Sequence, residues 1–263
     1  MLGRPRRTLM FNELQIHEYY DAYASPTPKY MILCLPDVGL VSSIACRHIV
    51  MEKKLGLVGE IDSPTLLPPI SVIHDSSPIS PVQLYMPEDR GFLMVLSEIP
   101  LPPASVFSFV DAVSNYADEV GVEYLLAVTG LAVPNRLELE KPQVFVASSK
   151  EEVYASFKEG DIEALREGFI VGPYALLLKE GRRKGFSTVI FLVESFLDIP
   201  DPEAAAFGIA ALSRFAGIQV DTKKLLEEAE LIKLRTRDLM RQTRKAMMDM
   251  QKQMERQMPL MYM

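Results

Sequence analysis

The sequence contains no tryptophan, and among its 263 residues there are only two cysteines and three histidines. Two cysteines are too few for a disulfide framework, so we expect Cys34 and Cys46 to be reduced in a cytoplasmic protein. The histidines, His17, His48 and His74, lie far apart in the sequence, and this spacing does not predict a zinc site. These scarcities favour a cytoplasmic protein without a metal centre.

Long apolar runs are also missing. No stretch approaches the roughly 18 consecutive apolar residues of a membrane-spanning helix, and the basic start of the chain is not followed by the apolar segment of a signal peptide. The composition is that of an ordinary soluble protein, with 48% hydrophobic and 24% charged residues. The net charge of −7 argues against nucleic acid as a main partner. We therefore expect neither a membrane nor a nucleic acid among the partners.

Motifs of the common enzyme classes are absent as well. The sequence has no G-x-x-x-x-G-K-[S/T], no G-x-G-x-x-G and no G-x-S-x-G, which predicts neither a familiar phosphate site nor a nucleophile elbow. Carboxylates are the remaining candidates. Asp37 and Asp75 each follow an apolar strand, where α/β enzymes carry working residues, and Glu194 and Asp198 invite the same pairing. Turn formation is the plainer interpretation of such residues. We expect no catalytic and no cofactor-binding residues.

Apolar runs that alternate with helical segments indicate the fold. Residues 30–35, 124–129, 144–147 and 188–193 are short, almost wholly apolar runs typical of strands buried on both faces. Helical segments separate them, and a hairpin-like region at 57–97 favours a mixed sheet. We predict a single α/β domain with a central, mostly buried mixed sheet flanked by helices.

The C-terminal end differs from this body. Residues 221–258 contain neither glycine nor proline and read as one helix of roughly 55 Å, with Asp221 as its N-cap. Pro259 ends this helix. We divide the chain into a body at 1–220, a helical arm at 221–258 and a docking tail at 259–263. A helix of this length exceeds the body, so we expect its far half to project; the alternative is an ordinary amphipathic helix packed on its own domain.

Several segments together resemble one family. They are Val38-Gly39 before a helix, Pro69-Ile70 after a polar turn, Val128-Thr129-Gly130, Gly168-Phe169-Ile170-Val171-Gly172-Pro173, Leu192-Val193-Glu194-Ser195 and Pro200-Asp201-Pro202-Glu203-Ala204-Ala205. In these segments the chain, from about residue 30 to 235, is similar to the proteasome-assembling chaperone family in its archaeal form. The resemblance implies a domain like the nucleoside phosphorylase/hydrolase sandwich, assembly of members with one another and binding to proteasome α-subunits. Some members were catalogued as relatives of ATP-grasp ligases, but this sequence has no nucleotide-binding glycine loop.

The last three residues, Met261-Tyr262-Met263, repeat the hydrophobic–tyrosine–any residue ending of proteasome activators and some assembly factors. By that resemblance, the terminal carboxylate pairs with a lysine between α-subunits, and the Tyr262 ring adds contact area. A single short tail binds weakly, which favours a homo-oligomer of three to five subunits that presents several tails. The Ala-rich residues 203–216 permit close helix contacts in such an assembly.

We therefore expect a non-enzymatic proteasome assembly chaperone or activator, with Met261, Tyr262 and Met263 as its partner-binding residues. Its partners would be the proteasome α-ring and its own copies, and the resemblance leaves open a paralogous second subunit. The alternative is a small-molecule enzyme of the ATP-grasp-related ligase or hydrolase type that uses Asp37, Asp75 and Glu194.

Overall fold

The computed structural model describes residues 4–20, 24–74, 76–157 and 162–257. The strands are β1 Arg7–Phe11, β2 Leu14–Glu18, β3 Tyr30–Cys34, β4 Gly56–Asp62, β5 Val72–His74, β6 Ser77–Ile79, β7 Val82–Met86, β8 Phe92–Ser97, β9 Tyr124–Ala132, β10 Val144–Ser148, β11 Glu163–Ala164 and β12 Ser187–Ser195. The α-helices are α1 Val41–Glu52, α2 Val106–Val120, α3 Pro173–Lys184, α4 Pro202–Ala216, α5 Lys223–Glu227 and α6 Ala229–Gln257.

Ten of these strands form one mixed sheet in the order β1-β2-β4-β7-β8-β3-β9-β12-β10-β11. The four central strands, β8, β3, β9 and β12, run parallel to one another, and antiparallel strands extend the sheet on both sides. Strands β5 and β6 pair separately as a short hairpin. The predicted single α/β domain with a buried, mixed sheet is confirmed.

The two faces of the sheet carry separate hydrophobic cores. Met31 and Leu33 of β3 point to one face, where α2 and α3 pack, and Ile32 and Cys34 point to the other, where α1 and α4 pack. This alternation follows from the pleat of a strand, in which successive side chains leave on opposite faces. A run without polar residues such as YMILC is therefore buried on both sides, as the sequence predicts.

The two cysteines differ from the prediction. Cys34 and Cys46 form a disulfide with an S–S distance of 2.10 Å, which joins β3 to α1. The expectation of reduced thiols was wrong because it rested on counting cysteines. Cys34 faces the side of the sheet that α1 covers, and this packing brings two residues 12 positions apart into contact.

The C-terminal helical region also departs from the prediction. It is broken at Glu228 into the short α5 and the 29-residue α6. The N-cap position of α5 is Thr222 rather than Asp221, although the Asp221 carboxylate accepts a hydrogen bond from the Lys223 N–H at 2.9 Å. The division of the chain at residue 220 remains a prediction.

Helix α6 lies on the body over most of its length instead of projecting from it. Leu239 and Met240 pack with the core under α1 and α4, whereas Met250 packs with the core under α2 and α3, so α6 crosses the edge of the sheet. Thr243, between these contacts, is completely buried, and its hydroxyl donates to the Leu239 carbonyl at 2.9 Å. That internal hydrogen bond satisfies the threonine and explains why a weakly apolar helix face packs on the body.

A buried ion pair fastens the loop after β9 to the start of α4. The Arg136 guanidinium donates to both Asp201 oxygens, at 2.8 and 3.3 Å, and to Glu203 at 2.8 Å. Asp201 also accepts from the Ala204 N–H at 3.0 Å and thereby caps α4. Arg136 and Asp201 are 4% and 2% exposed, so each charge relies on the other for the interactions that water supplies at the surface.

Replacing Arg136 with methionine should therefore destabilise the protein strongly, because it leaves Asp201 buried without its cation. We expect a loss of about 3 to 5 kcal/mol in the free energy of unfolding, measured by urea denaturation. Arg183→Met is the matched control, since Arg183 forms an exposed pair with Glu180 at 2.8 Å, and its loss should cost less than about 1 kcal/mol. Equal losses for the two variants would contradict this account.

Candidate functional site

A cavity of about 690 Å³ lies at the carboxyl ends of the four parallel strands. Each strand contributes to its lining through its end or the loop after it: Leu101 follows β8, Asp37 follows β3, Gly130 belongs to β9, and Leu197 follows β12. Helix α1, which follows β3, packs on one face of the sheet. Helix α2, which precedes β9, packs on the opposite face. Such a switch point, at the carboxyl ends of parallel strands, is where α/β folds bind ligands.

Two glycines let the loop after β3 press against its neighbours. Gly39 has φ of +60°, and a Cβ there would overlap the Ser195 hydroxyl oxygen. A Cβ at Gly130 would overlap the Val38 carbonyl oxygen. Since only glycine fits both contacts, the backbone of the loop is set directly on β9 and β12. This packing positions the side chain of Asp37 in the floor of the cavity.

Asp37 is 92% buried, with an exposed fraction of 8%. Its Oδ1 accepts from the Ser42 N–H at 3.2 Å and its Oδ2 from the Gly130 N–H at 3.4 Å, and the Thr129 side chain provides a further hydrogen bond. Burial raises the pKa of the carboxyl from 3.8 to about 7, although these hydrogen bonds favour the charged form. The cavity therefore contains a carboxyl group that ionises near neutral pH.

Tyr174, at the start of α3, lies beside this carboxyl. Its hydroxyl donates to the Ser42 Oγ at 3.0 Å and accepts from the Leu35 N–H at 3.2 Å. Burial, and secondarily the charge of Asp37, raise the pKa of Tyr174 above its ordinary value. The phenol remains neutral and ties α3 to the end of β3.

The mouth of the cavity is apolar and partly closed by α6. Phe169 and Val171, in the loop before α3, are 98% and 52% exposed, and Leu197 and Met248 expose about half of their surface. Further side chains of α6 line the cavity: Thr243, Ala246, Met247 and Met250. At the rim, Arg244 of α6 pairs with Asp198 at 3.2 Å. The segment GFIVGP, which carries the family resemblance, thus forms part of this mouth.

The residues singled out in the sequence do not all meet here. Asp37 lines the cavity and Asp198 its rim, whereas Glu194 accepts from the Gln143 N–H at 2.9 Å and is not part of the lining. Asp75 and the tail residues Met261, Tyr262 and Met263 lie outside the described residues. Of the pair Glu194 and Asp198, only Asp198 therefore lies at the cavity.

Sequence reasoning did not single out Tyr174 or Arg244 as site residues. Tyr174 directly follows the GFIVGP segment, which was the available signal. Arg244 gave no signal, because its role depends on how α6 crosses the sheet edge. Within the described ranges there is no group of three or more His, Cys, Asp or Glu side chains suited to a metal ion. Over the same ranges, no helix combines the length and the apolar character needed to span a bilayer.

Comparison with known proteins settles the family. The PAC2 family model matches residues 31–240. The chain belongs to the PAC2 family. A crystal structure of Pyrococcus furiosus PbaA, described as an archaeal homolog of proteasome-assembly chaperone, is similar with a TM-score of 0.77 and 29% sequence identity, over 83% of this PAC2 chain and 95% of PbaA. The family resemblance found in the sequence is confirmed.

Two other relatives extend the comparison. P. furiosus PbaB, described as an archaeal proteasome activator, has the same fold with a TM-score of 0.71 and 24% identity, over 88% of this PAC2 chain and 99% of PbaB. An uncharacterized protein of Methanocaldococcus jannaschii is 25% identical over 217 residues, which are 82% of this chain and 87% of that protein. The matches cover nearly the whole length of these relatives.

The raised pKa of Asp37 predicts a pH-dependent stability. In the unfolded chain this carboxyl ionises near pH 4, but in the folded protein it ionises near pH 7, so the folded state holds more protons between these values. Its contribution to the free energy of unfolding therefore falls as the pH rises through this window. Asp37→Asn removes this group. The free energy of unfolding of the variant, relative to that of wild type, should therefore be about 2 to 3 kcal/mol higher at pH 8 than at pH 5.

Urea denaturation of both proteins at the two pH values measures this gain. Glu194→Gln, which removes a carboxylate outside the cavity, gives the general effect of losing one negative charge. If the difference between Asp37→Asn and wild type stays constant with pH, the carboxyl is not protonated near neutral pH and this description of the site is wrong.

Proposed function

We propose that this protein is a non-enzymatic partner of the proteasome, an assembly chaperone or activator that works in the cytoplasm as a homo-oligomer. The observation that carries the proposal is the similarity to PbaA, which extends over 95% of that chain at 29% identity. The similar fold of PbaB, described as a proteasome activator, adds support for the activator role. The α-ring of the proteasome is the partner we propose.

The docking element we propose is the tail, with Met261, Tyr262 and Met263 as its contacts. A free carboxylate next to an aromatic and two methionine side chains offers one charge and a compact apolar surface. Pro259 restricts the backbone in front of these residues, so that less conformational entropy is lost on docking. The sequence places this peptide directly after α6, whose last residue is Gln257.

The packing of α6 bears on how far the tail reaches. Met250 of α6 packs on the body, and Gln257, where the helix ends, lies seven residues further, about 10 Å along the axis. While α6 stays packed on the body, the tail can dock only to a partner surface close to the end of the helix. A more distant surface requires release of α6 from the body. The contact of α6 with the cavity includes only one ion pair among the described residues, Arg244–Asp198, and an exposed pair of this kind contributes about 0 to 1 kcal/mol.

Avidity is the reason to propose a homo-oligomer of three to five subunits. A single tail buries little surface, and several tails on one particle raise the effective concentration at a ring of pockets. The Ala-rich helix no longer supports this proposal, because Ala204, Ala205 and Ala211 of α4 are buried within their own chain. Apolar side chains that remain exposed, such as Phe169 and Val171, are available for protein contacts instead.

One observation favours the alternative of a small-molecule enzyme. Asp37 lies in a cavity, and the pKa of its carboxyl is near 7, which suits a general acid or base at neutral pH. Of the other carboxylates that the sequence suggested, Glu194 is not in the cavity lining, Asp198 lies at the rim and pairs with Arg244, and Asp75 lies outside the described residues. If the enzyme alternative is right, Asp37→Asn abolishes activity on a substrate; under the main proposal it leaves proteasome binding unaltered.

Deleting the last three residues should abolish binding to proteasome core particles while the fold and the oligomer persist. Tyr262→Ala should have nearly the same effect, because an aromatic anchor in a pocket is often worth about 2 kcal/mol per site. Tyr262→Phe should weaken binding less, and one residue added after Met263 should weaken it by moving the carboxylate. Pull-down of core particles and their peptide hydrolysis measure both binding and activation.

Met10→Ala is a control, since it removes an exposed methionine at the other end of the chain. Circular dichroism and light scattering show whether each variant keeps its structure. If the protein without its last three residues binds and acts as the wild type does, docking by the tail is refuted.

The oligomer is tested by multi-angle light scattering of the full chain at micromolar concentration. We expect a mass of three to five times 29.5 kDa. A monomer under these conditions would remove the avidity on which tail docking depends.

A further inference from the structure

The cavity at the carboxyl ends of the four parallel strands has properties that docking by the tail does not use. We propose that it binds a small organic cation, a primary amine on an apolar body, with the ammonium group on Asp37. This inference is independent of the proposed proteasome role. It rests on the burial of Asp37, the charges in the lining and the apolar walls.

Asp37 is held in place by hydrogen bonds. Its oxygens accept from the Ser42 and Gly130 N–H groups at 3.2 and 3.4 Å, and the Thr129 side chain and the N–H of Asp37 itself provide further hydrogen bonds. None of the interactions identified at Asp37 is an ion pair with a described lysine or arginine. The floor of the cavity therefore contains a buried carboxyl that has no counter-ion within the described part of the chain.

The charges around the cavity leave a net negative charge. The ionisable side chains other than tyrosine in the lining are Asp37, Asp198 and Arg244. Arg244 and Asp198 neutralise each other at the rim, where they are 3.2 Å apart. When Asp37 is ionised, one negative charge remains, at the floor, and in a site with apolar walls it attracts a single positive charge more strongly than it would in water.

The walls determine the rest of the ligand. They are formed by aliphatic and thioether side chains, among them Leu101, Val106, Leu131, Ile170, Met247 and Met250. A volume of about 690 Å³ lies within the range of about 300 to 1,000 Å³ of known small-molecule sites. An aliphatic or aromatic body would displace water from these walls, and the buried ammonium would find its counter-charge in Asp37.

A compact ammonium fits this carboxyl better than a guanidinium does. An ammonium needs one free acceptor position, whereas the planar fork of a guanidinium takes one position on each oxygen. Both oxygens of Asp37 already accept a backbone N–H, so the requirement for two free positions is the harder one to meet.

The ligand would also touch the C-terminal helix. Thr243, Ala246, Met247 and Met250 of α6 line the cavity together with the floor residues. A molecule that fills the cavity therefore contacts α6 and the body at once, and it stabilises the helix in its packed position. Binding should slow hydrogen exchange of the backbone amides between residues 239 and 250.

Isothermal titration of the full chain with benzylamine and hexylamine tests the proposal, with benzyl alcohol and hexanol as uncharged probes of the same size. We expect saturable binding of one amine per chain and at least tenfold weaker binding of the matching alcohol. Because the amine favours ionised Asp37, binding near pH 7 should release a proton, and the measured heat should vary with the ionisation enthalpy of the buffer.

Two variants examine the site from opposite sides. Asp37→Asn should weaken amine binding at least tenfold and remove the dependence on buffer. Ala246→Phe keeps the carboxyl but places a phenyl ring in the cavity from α6, and it should weaken binding of both amines and alcohols. Glu194→Gln, which removes a carboxylate outside the lining, is the matched control and should bind like wild type.

Three results would overturn the inference. The first is no saturable binding of either amine to the wild type. The second is equal affinity for amine and alcohol, which indicates an apolar cavity without a role for the charge. The third is amine binding that survives both Asp37→Asn and Ala246→Phe, which places the amine elsewhere on an acidic surface.

Discussion

The structure depends on a close backbone contact between the loop after β3 and its neighbours. The Val38 carbonyl lies where a side chain at Gly130 would be, and Gly39 lies against Ser195 at the end of β12. The same loop accepts a hydrogen bond from the Asp201 N–H through the Gly39 carbonyl at 2.8 Å. One turn therefore joins three parallel strands to the start of α4.

The cavity is a consequence of this contact. Because the loop turns sharply at the edge of the sheet, Asp37 is carried over the ends of the strands rather than out into solvent. Its carboxyl accepts the Gly130 N–H and so bridges β3 and β9. The charge state of Asp37 and the packing of the loop are thus coupled, since ionising a buried carboxyl costs free energy that only its few hydrogen-bond donors offset.

The sheet was predictable because its signal is local. A run such as YMILC is buried on both faces wherever it lies, and parallel strands of this kind require helices between them. The family was recognisable for a related reason, since GFIVGP and PDPEAA form the mouth of the cavity and the cap of α4. The path of α6 was not predictable, because Thr243 and Ala246 are indifferent residues in the sequence. The burial of Thr243 depends on a cavity rim that four separate loops form.

Helix α6 connects the cavity to the proposed docking tail. Residues of α6 between 243 and 250 form a wall of the cavity, and its last residue, Gln257, lies two positions before the tail at 259–263. Any interaction that holds this wall in place also limits how far the tail reaches from the body, because a helix transmits the position of one turn to the next. Conversely, a partner that pulls α6 away opens the cavity and exposes Met247 and Met250 to water, which costs about 25 cal/mol for each Å² of apolar surface. If the tail docks as proposed, the free energy of docking therefore includes the free energy of releasing this helix whenever the partner lies beyond the reach of the packed helix.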